Sequence, residues 1–349
     1  MPASPLRDAT ILGRQLRLKQ PRRKTVMEAS EIRSSSFEGA RKVIGNQAVS
    51  MLLILISMWI VLSLLSRYFF TVGNISEITL QTAVVGIIAA GETLIIISGG
   101  IDLSVGSLFA CSGIVGGVVF QRTSSLPLTL LTTILVGGAL GAANGFFITR
   151  LRVPAFIATL GMMGMARGLA LIFSRGIPIF GLDQRHLWIG QGKVLNVIPV
   201  PTIILLLVFA ILFVIATYTR FGRFVYAIGS NAEAAMLSGI NIRLVTLSIY
   251  TGCGLLCGVA SIIESARLAT IQPAGGTGYE LLAIGAVVIG GTSLFGGEGN
   301  VLATLIGALI ETTIRNGLNI LGVNAFWQYV VNGAVIIAAV AVDQLRRQR

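Results

Sequence analysis

Ten apolar stretches dominate the chain: residues 48–66, 78–98, 103–121, 126–149, 154–174, 197–219, 244–263, 281–297, 301–321 and 325–342. Crossing the hydrocarbon layer of a bilayer takes about 20 predominantly apolar residues in a helix. Within these stretches only Glu92, Arg167, Glu311 and Arg315 are charged. In lipid every backbone N–H and C=O must find its partner inside the protein, and a helix does this within one segment. The pattern predicts an all-α polytopic membrane protein with about ten transmembrane helices. The stretch 281–297 is short and rich in glycine, so it is expected to be broken or re-entrant.

Composition supports the class. Only 11% of the residues are charged, against about 25% in soluble domains. The 42 glycines let helices approach closely. A net charge of +12 would suit a nucleic-acid ligand, but its placement points elsewhere. Ten of the 26 Lys and Arg residues fall in residues 1–46, with Asp8, Glu28, Glu31 and Glu38 as the acids there. A polybasic flank beside a first span is retained on the cytoplasmic side. The expected organisation is therefore a basic, disordered cytoplasmic tail over 1–46, a transmembrane domain over 47–345 and a short basic tail over 346–349. An even number of spans puts both termini on one side. Arg150, Arg152, Arg220, Arg223 and Arg243 lie in connections on that side, against Arg67, Arg122, Arg175, Arg185, Lys193 and Arg267 on the other. The tail thus carries most of the assignment of both termini to the cytoplasm. The longest outer connection is 175–196, which holds His186, the single histidine, and Trp188; the longest inner one is 220–243.

Several chemistries lack their residues. A phosphate-binding P-loop needs GxxxxGK[ST], and none of Lys19, Lys24, Lys42 or Lys193 sits in that setting. A lone histidine supports no buried triad, and no Cys/His cluster has metal-ligand spacing. Cys111, Cys253 and Cys257 all lie in apolar runs and read as packing residues. The chain is expected to bind no cofactor or metal and to be no enzyme; moving a solute is the function class that remains best supported.

Polar breaks mark where a passage would lie. Asp102 stands between two spans and Ser104 at the start of the second, bracketed by Gly99, Gly100 and Gly106. A second passage, Gly290, Gly291, Ser293, Gly296 and Gly297, repeats the pattern GGx[DS]LxxG. The repeat is either the trace of two related halves or a coincidence in a glycine-rich chain. Non-helical backbone at membrane depth survives only against protein or a water-filled cavity, and transporters build polar sites from such breaks. Asp102 is read either as a helix cap or as a pathway group. Ser104, Asn144, Asn316, Asn319 and Gln328 are further pathway candidates, each with interhelical packing as its plainer role. Glu311 and Arg315, four apart on one helix, are candidates for a mutual ion pair. Arg167 is a third ion-pair candidate, with Glu92 as a partner on another helix.

The inner connection contains Asn231-Ala232-Glu233-Ala234-Ala235-Met236-Leu237-Ser238-Gly239. Asn231 is a good N-cap, Glu233 falls in the first turn and Gly239 suits the C′ position. So apolar a short helix needs a surface, either a groove on another protein or the membrane interface.

The motifs GGIDLSVGS (99–107), NGFFITRLRVPAFIATLGMMGMARG (144–168), YAIGSNAEAAMLSGI (226–240), ARLATIQPAGGTGYELLAIGAVVIGGTSLFGGEG (266–299), NGLNILGV (316–323) and WQYVVNG (327–333) together resemble the ribose-type sugar permeases of bacterial ABC importers. The resemblance covers about residues 48–343. It implies a multi-pass permease of the bacterial inner membrane, with broken or short glycine-rich helices. Its implied partners are a second permease copy or paralogue, an extracytoplasmic sugar-binding protein and two cytoplasmic ATPase subunits that bind ATP and Mg. It further implies that Asn231, Glu233, Ala234, Ala235, Leu237, Ser238 and Gly239 form the coupling helix that sits on the ATPase. A proton-coupled secondary transporter, with Glu92, Asp102 or Glu311 titrating, is the alternative from another class, and a noncatalytic membrane scaffold is a third.

Overall fold

The computed structural model describes residues 48–347; the basic tail over 1–46 and the last two residues of the 346–349 tail lie outside the described residues. The elements are α1 (Ala48–Leu65), α2 (Val72–Ile97), α3 (Val105–Thr123), α4 (Leu126–Thr149), α5 (Ala155–Ser174), α6 (Gln184–Gln191), β1 (Lys193–Val194), β2 (Ile198–Pro199), α7 (Val200–Tyr218), α8 (Arg220–Ser230), α9 (Ala232–Leu237), α10 (Ile242–Leu268), α11 (Tyr279–Ile289), α12 (Val301–Ile320) and α13 (Ala325–Arg347). Among the described residues eight helices are long and apolar enough to cross a membrane: α1 to α5, α7, α10 and α12. The apolar helical segments Tyr279–Ile289 and Phe326–Ala338 are shorter. The chain is an all-α polytopic membrane protein. The run at 281–297 is indeed interrupted, since α11 stops at Ile289. Arg346 and Arg347, expected in a tail, continue α13.

A helix that is apolar on every side belongs in the middle of a bundle. α2 is that helix, buried without interruption from Thr82 to Ile97. At the other extreme α1 keeps most of its surface exposed. It is tethered by the Trp59 Nε1 hydrogen bond to Thr313 Oγ1 at 3.2 Å and by Leu62 seated against Gly317. The closest crossing is α4 with α10. A Cβ added to Gly137 would overlap the carbonyl of Gly254, one on Gly254 would overlap the carbonyl of Gly137, and one on Gly141 the carbonyl of Tyr250. Small residues four apart permit this backbone approach, which favours helix association where no hydrophobic drive exists between helices.

Two ends of the bundle follow from the contacts. At one end the C-terminus of α2, the end of α8 and the α11–α12 connection converge. At the other stand α6, the end of α10 and the end of α12, and between the two ends the starts of α3 and α11 meet, Gly106 against Gly276 and Glu280. The 175–196 connection is more ordered than its sequence indicates. It contains α6 and an antiparallel two-strand ladder, Lys193 opposite Pro199 and Val194 opposite Ile198, plus a bridge between Ile179 and Ile271. His186 on α6 is buried, and its Nε2 lies 3.0 Å from Ser265 Oγ. That hydroxyl also lies 3.0 Å from the Ile262 carbonyl. Nδ1 is buried without a partner, and burial holds the imidazole pKa below its ordinary value.

Candidate functional site

The polar candidates separate into three groups. The first is a knot around the break after α2. The helix ends in a Schellman arrangement: Gly99, at φ +82, gives its N–H to Ile96 O, and Gly100 N–H reaches Ile95 O, both at 2.9 Å. A left-handed residue at this point is what glycine tolerates. The chain then turns back into the protein. Asp102 N–H donates to Glu92 Oε1 at 3.0 Å. Asp102 Oδ1 accepts from Ser104 N at 2.8 Å and Ser104 Oγ at 2.5 Å. Asn144 Nδ2 donates to Ser104 Oγ at 2.8 Å and to Asp102 Oδ2 at 3.3 Å. Tyr250 Oη donates to the Ile101 carbonyl at 3.2 Å, and Thr159 Oγ1, whose short bond is to Ala155 O at 2.9 Å, lies 3.4 Å from the same carbonyl. Glu92, Asp102, Ser104, Asn144 and Thr159 are all 0% exposed. Asp102 therefore supports the first turn of α3 from two residues ahead of its N-cap, Ser104. In the same network it joins α2, α3 and α4, and Thr159 brings in the start of α5.

The second group lies at the opposite end. Arg267 pairs with Glu77 and with Glu264, each at 2.9 Å, and Tyr279 Oη donates to Glu264 Oε1 at 3.3 Å. Two clefts adjoin this cluster and share Tyr279 and Arg315. One is about 310 Å³ and also reaches Gln328 and Asn332. The other, about 120 Å³, is lined by Gln81, Glu264, Arg267 and Asn319 as well. Gln328 Nε2 donates to Asn319 Oδ1 at 2.6 Å, and Asn332 Oδ1 is buried without a partner. Asn316 stands apart: its Nδ2 donates to Asn74 Oδ1 at 2.7 Å, fastening α12 to the start of α2.

Two ion-pair expectations are corrected. Among the described residues Glu311 and Arg315 form no ion pair; Glu311 Oε1 is unpartnered while Arg315 faces the clefts. Arg167 takes no carboxylate. Its Nη1 donates to the carbonyls of Pro273 and Gly275 at 2.7 and 2.8 Å, with Gly106 O 3.5 Å from Nη2, which pins the connection before α11. A planar guanidinium suits such a fan of acceptors. The sequence reading missed Tyr250, Thr159 and the Glu77–Arg267–Glu264 cluster; the spacing of Glu264 and Arg267 was the available signal.

The glycines also divide. Gly291, at φ +84, ends α11 as Gly99 ends α2, with N–H bonds from Gly291 to Val288 and from Thr292 to Val287. The structural register of the two breaks is therefore Gly99 with Gly291, one residue off the sequence register. Gly106 and Gly290 are close-packing positions: a Cβ would overlap Gly276 O in the first case and lie 2.6 Å from Ala303 O in the second. Gly100 likewise is packed against Tyr250 Oη.

The third group is α9. Asn231 Oδ1 accepts from Ala234 N at 2.9 Å, Glu233 lies in the first turn, and Gly239 follows at φ +83. Ser238 Oγ donates back to Ala234 O at 2.9 Å. Met236 and Leu237 are 59% and 81% exposed, whereas Ala235, expected on the docking face, is buried at 4%.

Immediately before α9, Gly229 of α8 lies against both helix breaks. A Cβ there would overlap the Ile97 carbonyl and come within 2.5 Å of Gly297 N. Gly297 N–H donates to Ile97 O at 2.8 Å, and Tyr226 Oη donates to Gly299 O at 2.8 Å. The end of α2, the α11–α12 connection and the α8–α9 segment are thus one packed junction.

A family model described as branched-chain amino acid transport system / permease component matches residues 74–340. A ribose import permease protein of Escherichia coli (strain K12) is 44% identical over 300 residues, covering 85% of this chain and 92% of the relative. A ribose import permease protein of Bacillus subtilis (strain 168) is 44% identical over 288 residues, 82% and 89% of the two chains. A D-allose transport system permease protein of Escherichia coli (strain K12) is 40% identical over 284 residues, 81% and 87%. No solved structure matches the chain.

Proposed function

This chain belongs to the family of transport-system permease components to which those proteins are similar, and we propose that it is the permease subunit of an ATP-binding-cassette importer that carries a sugar into a bacterial cell. The relatives are named for ribose and allose, which favours a neutral polyhydroxyl solute over an amino acid. The subunit is a multi-pass membrane component whose place is the inner membrane. ATP and Mg belong to two cytoplasmic ATPase subunits. An extracytoplasmic sugar-binding protein delivers the solute, and a second copy or paralogue completes the membrane unit.

The junction at Gly229 is the observation that carries this reading. A helix that bears exposed Met236 and Leu237 has its apolar side chains ready for another subunit, as a short docking helix requires. Because Gly229 has no room against Ile97 O and Gly297 N, α8 and α9 cannot shift without moving the ends of α2 and the α11–α12 connection. A push delivered on α9 therefore reaches both breaks. Packed elements respond to such a push by switching between discrete arrangements. The bundle end holding α9 is accordingly the cytoplasmic one. The clefts around Tyr279 and Arg315 open at the outer end and form the polar entrance. The Asp102 network is the fixed clasp between them.

The test uses the assembled transporter in vesicles. M236E/L237E is expected to lose co-purification of the ATPase subunits. G229V is expected to retain the ATPase and its ATP turnover while uptake collapses. Normal uptake in both variants refutes the coupling role. Concentrative uptake by vesicles that contain the permease without ATPase subunits refutes the function itself.

A further inference from the structure

At the α9 end of the bundle an open groove of about 750 Å³ runs between the end of α4 and the start of α10. Its walls are mostly apolar, with Phe146 from α4, Leu244 and Leu247 from α10, and Met236 from α9. Arg150 and Arg243 also line it, and both are exposed. No acidic residue lines the groove. Among the described residues neither guanidinium takes part in an ion pair. Phe146 and Leu244, 49% and 60% exposed, stand on helices long enough to cross the membrane, so the groove continues the lipid-facing surface.

We propose that this groove binds an anionic phospholipid, its phosphate between Arg150 and Arg243 and an acyl chain along Phe146, Leu244 and Leu247. The chemistry is complementary in both parts. Guanidinium is the side chain best fitted to a phosphate, through paired N–H donors. The apolar walls take the chain that a soluble phosphate lacks. Basic pockets between membrane helices are suited to such headgroups, and cations near an anionic membrane surface each strengthen attachment. Glu233, the acid on α9, is exposed and does not line the groove. Because Met236 forms part of the wall, the bound lipid also braces α9 from the side. The site depends on the placement of this end at a membrane face and not on which solute is carried.

The experiment compares the complete transporter with R150Q/R243Q and, separately, with L244W, which fills the groove and leaves both charges in place. Arg122→Gln, at the opposite end, is the control. After detergent extraction, native mass spectrometry counts retained lipid, and titration with phosphatidylglycerol against phosphatidylcholine measures affinity. Wild type and R122Q are expected to retain one anionic lipid that phosphatidylcholine does not displace. R150Q/R243Q is expected to bind phosphatidylglycerol roughly 30-fold more weakly, since each cation contributes separately. L244W is expected to lose it with the arginines intact. Unchanged lipid retention in both variants overturns the proposal. So does loss of ATPase assembly in R150Q/R243Q with lipid retention unchanged, which would make an ATPase subunit the occupant. Inorganic phosphate competing as well as phosphatidylglycerol overturns the acyl-chain part.

Discussion

Exchanging the two polar partners at the heart of the knot tests whether Asp102 holds helices together or faces the solute. In Asp102→Asn the surviving amide oxygen can keep both Ser104 bonds, at 2.8 and 2.5 Å. The other atom becomes an NH₂ facing the NH₂ of Asn144 across 3.3 Å. A hydrogen bond to a carboxylate is lost, worth about 1.5–3 kcal/mol. Its length puts it toward the weak end, and Asn144 keeps its bond to Ser104 Oγ. The expected loss is about 2 kcal/mol, roughly 30-fold in the folding equilibrium.

Asn144→Asp should be worse, because it sets two carboxyl groups against each other at 0% exposure. The double exchange, D102N/N144D, restores a donor opposite an acceptor between the two residues and should recover part of the N144D loss, while the donation to Ser104 Oγ stays lost. The assay is reversible unfolding of the purified protein in mixed detergent, with hydrogen exchange at Ser107 and Leu108, whose N–H groups both bond to Ser104 O. Uptake per folded molecule should be unchanged in D102N. The reasoning fails if D102N is as stable as the parent, or if the double exchange is no better than N144D alone. A D102N protein of full stability whose uptake has fallen would restore Asp102 to the solute path.

Other consequences can be checked more briefly. Gly254→Val drives a side chain into Gly137 O at the α4–α10 crossing and should cost about 3 kcal/mol, the upper end for overpacking; wild-type thermal stability would contradict that crossing. Arg315→Gln and Asn332→Ala, at the larger of the two clefts beside Tyr279, should each slow uptake about five- to tenfold, as expected for one lost solute hydrogen bond. ATP turnover should remain, and unchanged uptake in both would remove the cleft from the path. His186, with its pKa lowered by burial, stabilises α6 while neutral. That contribution is present above the unfolded value near 6.5 and is lost as pH falls through the folded one. Amide exchange of α6, corrected for its intrinsic pH dependence, should therefore accelerate in acid; an α6 that is equally protected at pH 5 and pH 7.5 would refute this.

Much of this architecture was legible in the apolar runs, because lipid allows so few backbone solutions. Hydrophobicity alone could not say which runs are central. α1 is the more apolar of the first two helices, yet it is mostly exposed while α2 is mostly buried. The α9 helix was readable from Asn231 and Gly239, whose roles are local. Its facing was not, since Ala235 turns inward through packing against the rest of the chain. The Glu311–Arg315 reading failed for a related reason. Helical spacing puts two side chains within reach, but the clefts beside Tyr279 offer Arg315 another direction.

The two glycine breaks show what a sequence repeat can and cannot carry. Aligning GGIDLSVG with GGTSLFGG by letters puts Gly99 on Gly290, but backbone conformation puts it on Gly291. The shared property is the left-handed residue that closes a helix, and neighbouring glycines serve other ends. Gly290 makes room for α12, and Gly297 gives its N–H to the last carbonyl of α2. A helix end in lipid must dispose of its unpaired carbonyls. Here the second break supplies a donor to the first, and α8 closes over both through Gly229. The need to pair the backbone groups freed at a helix end thus ties the two breaks to each other and to α8. Helices that end only at the membrane surface can leave those groups to water; a break inside the bundle has to pair them with protein, and that obligation is what fastens this junction.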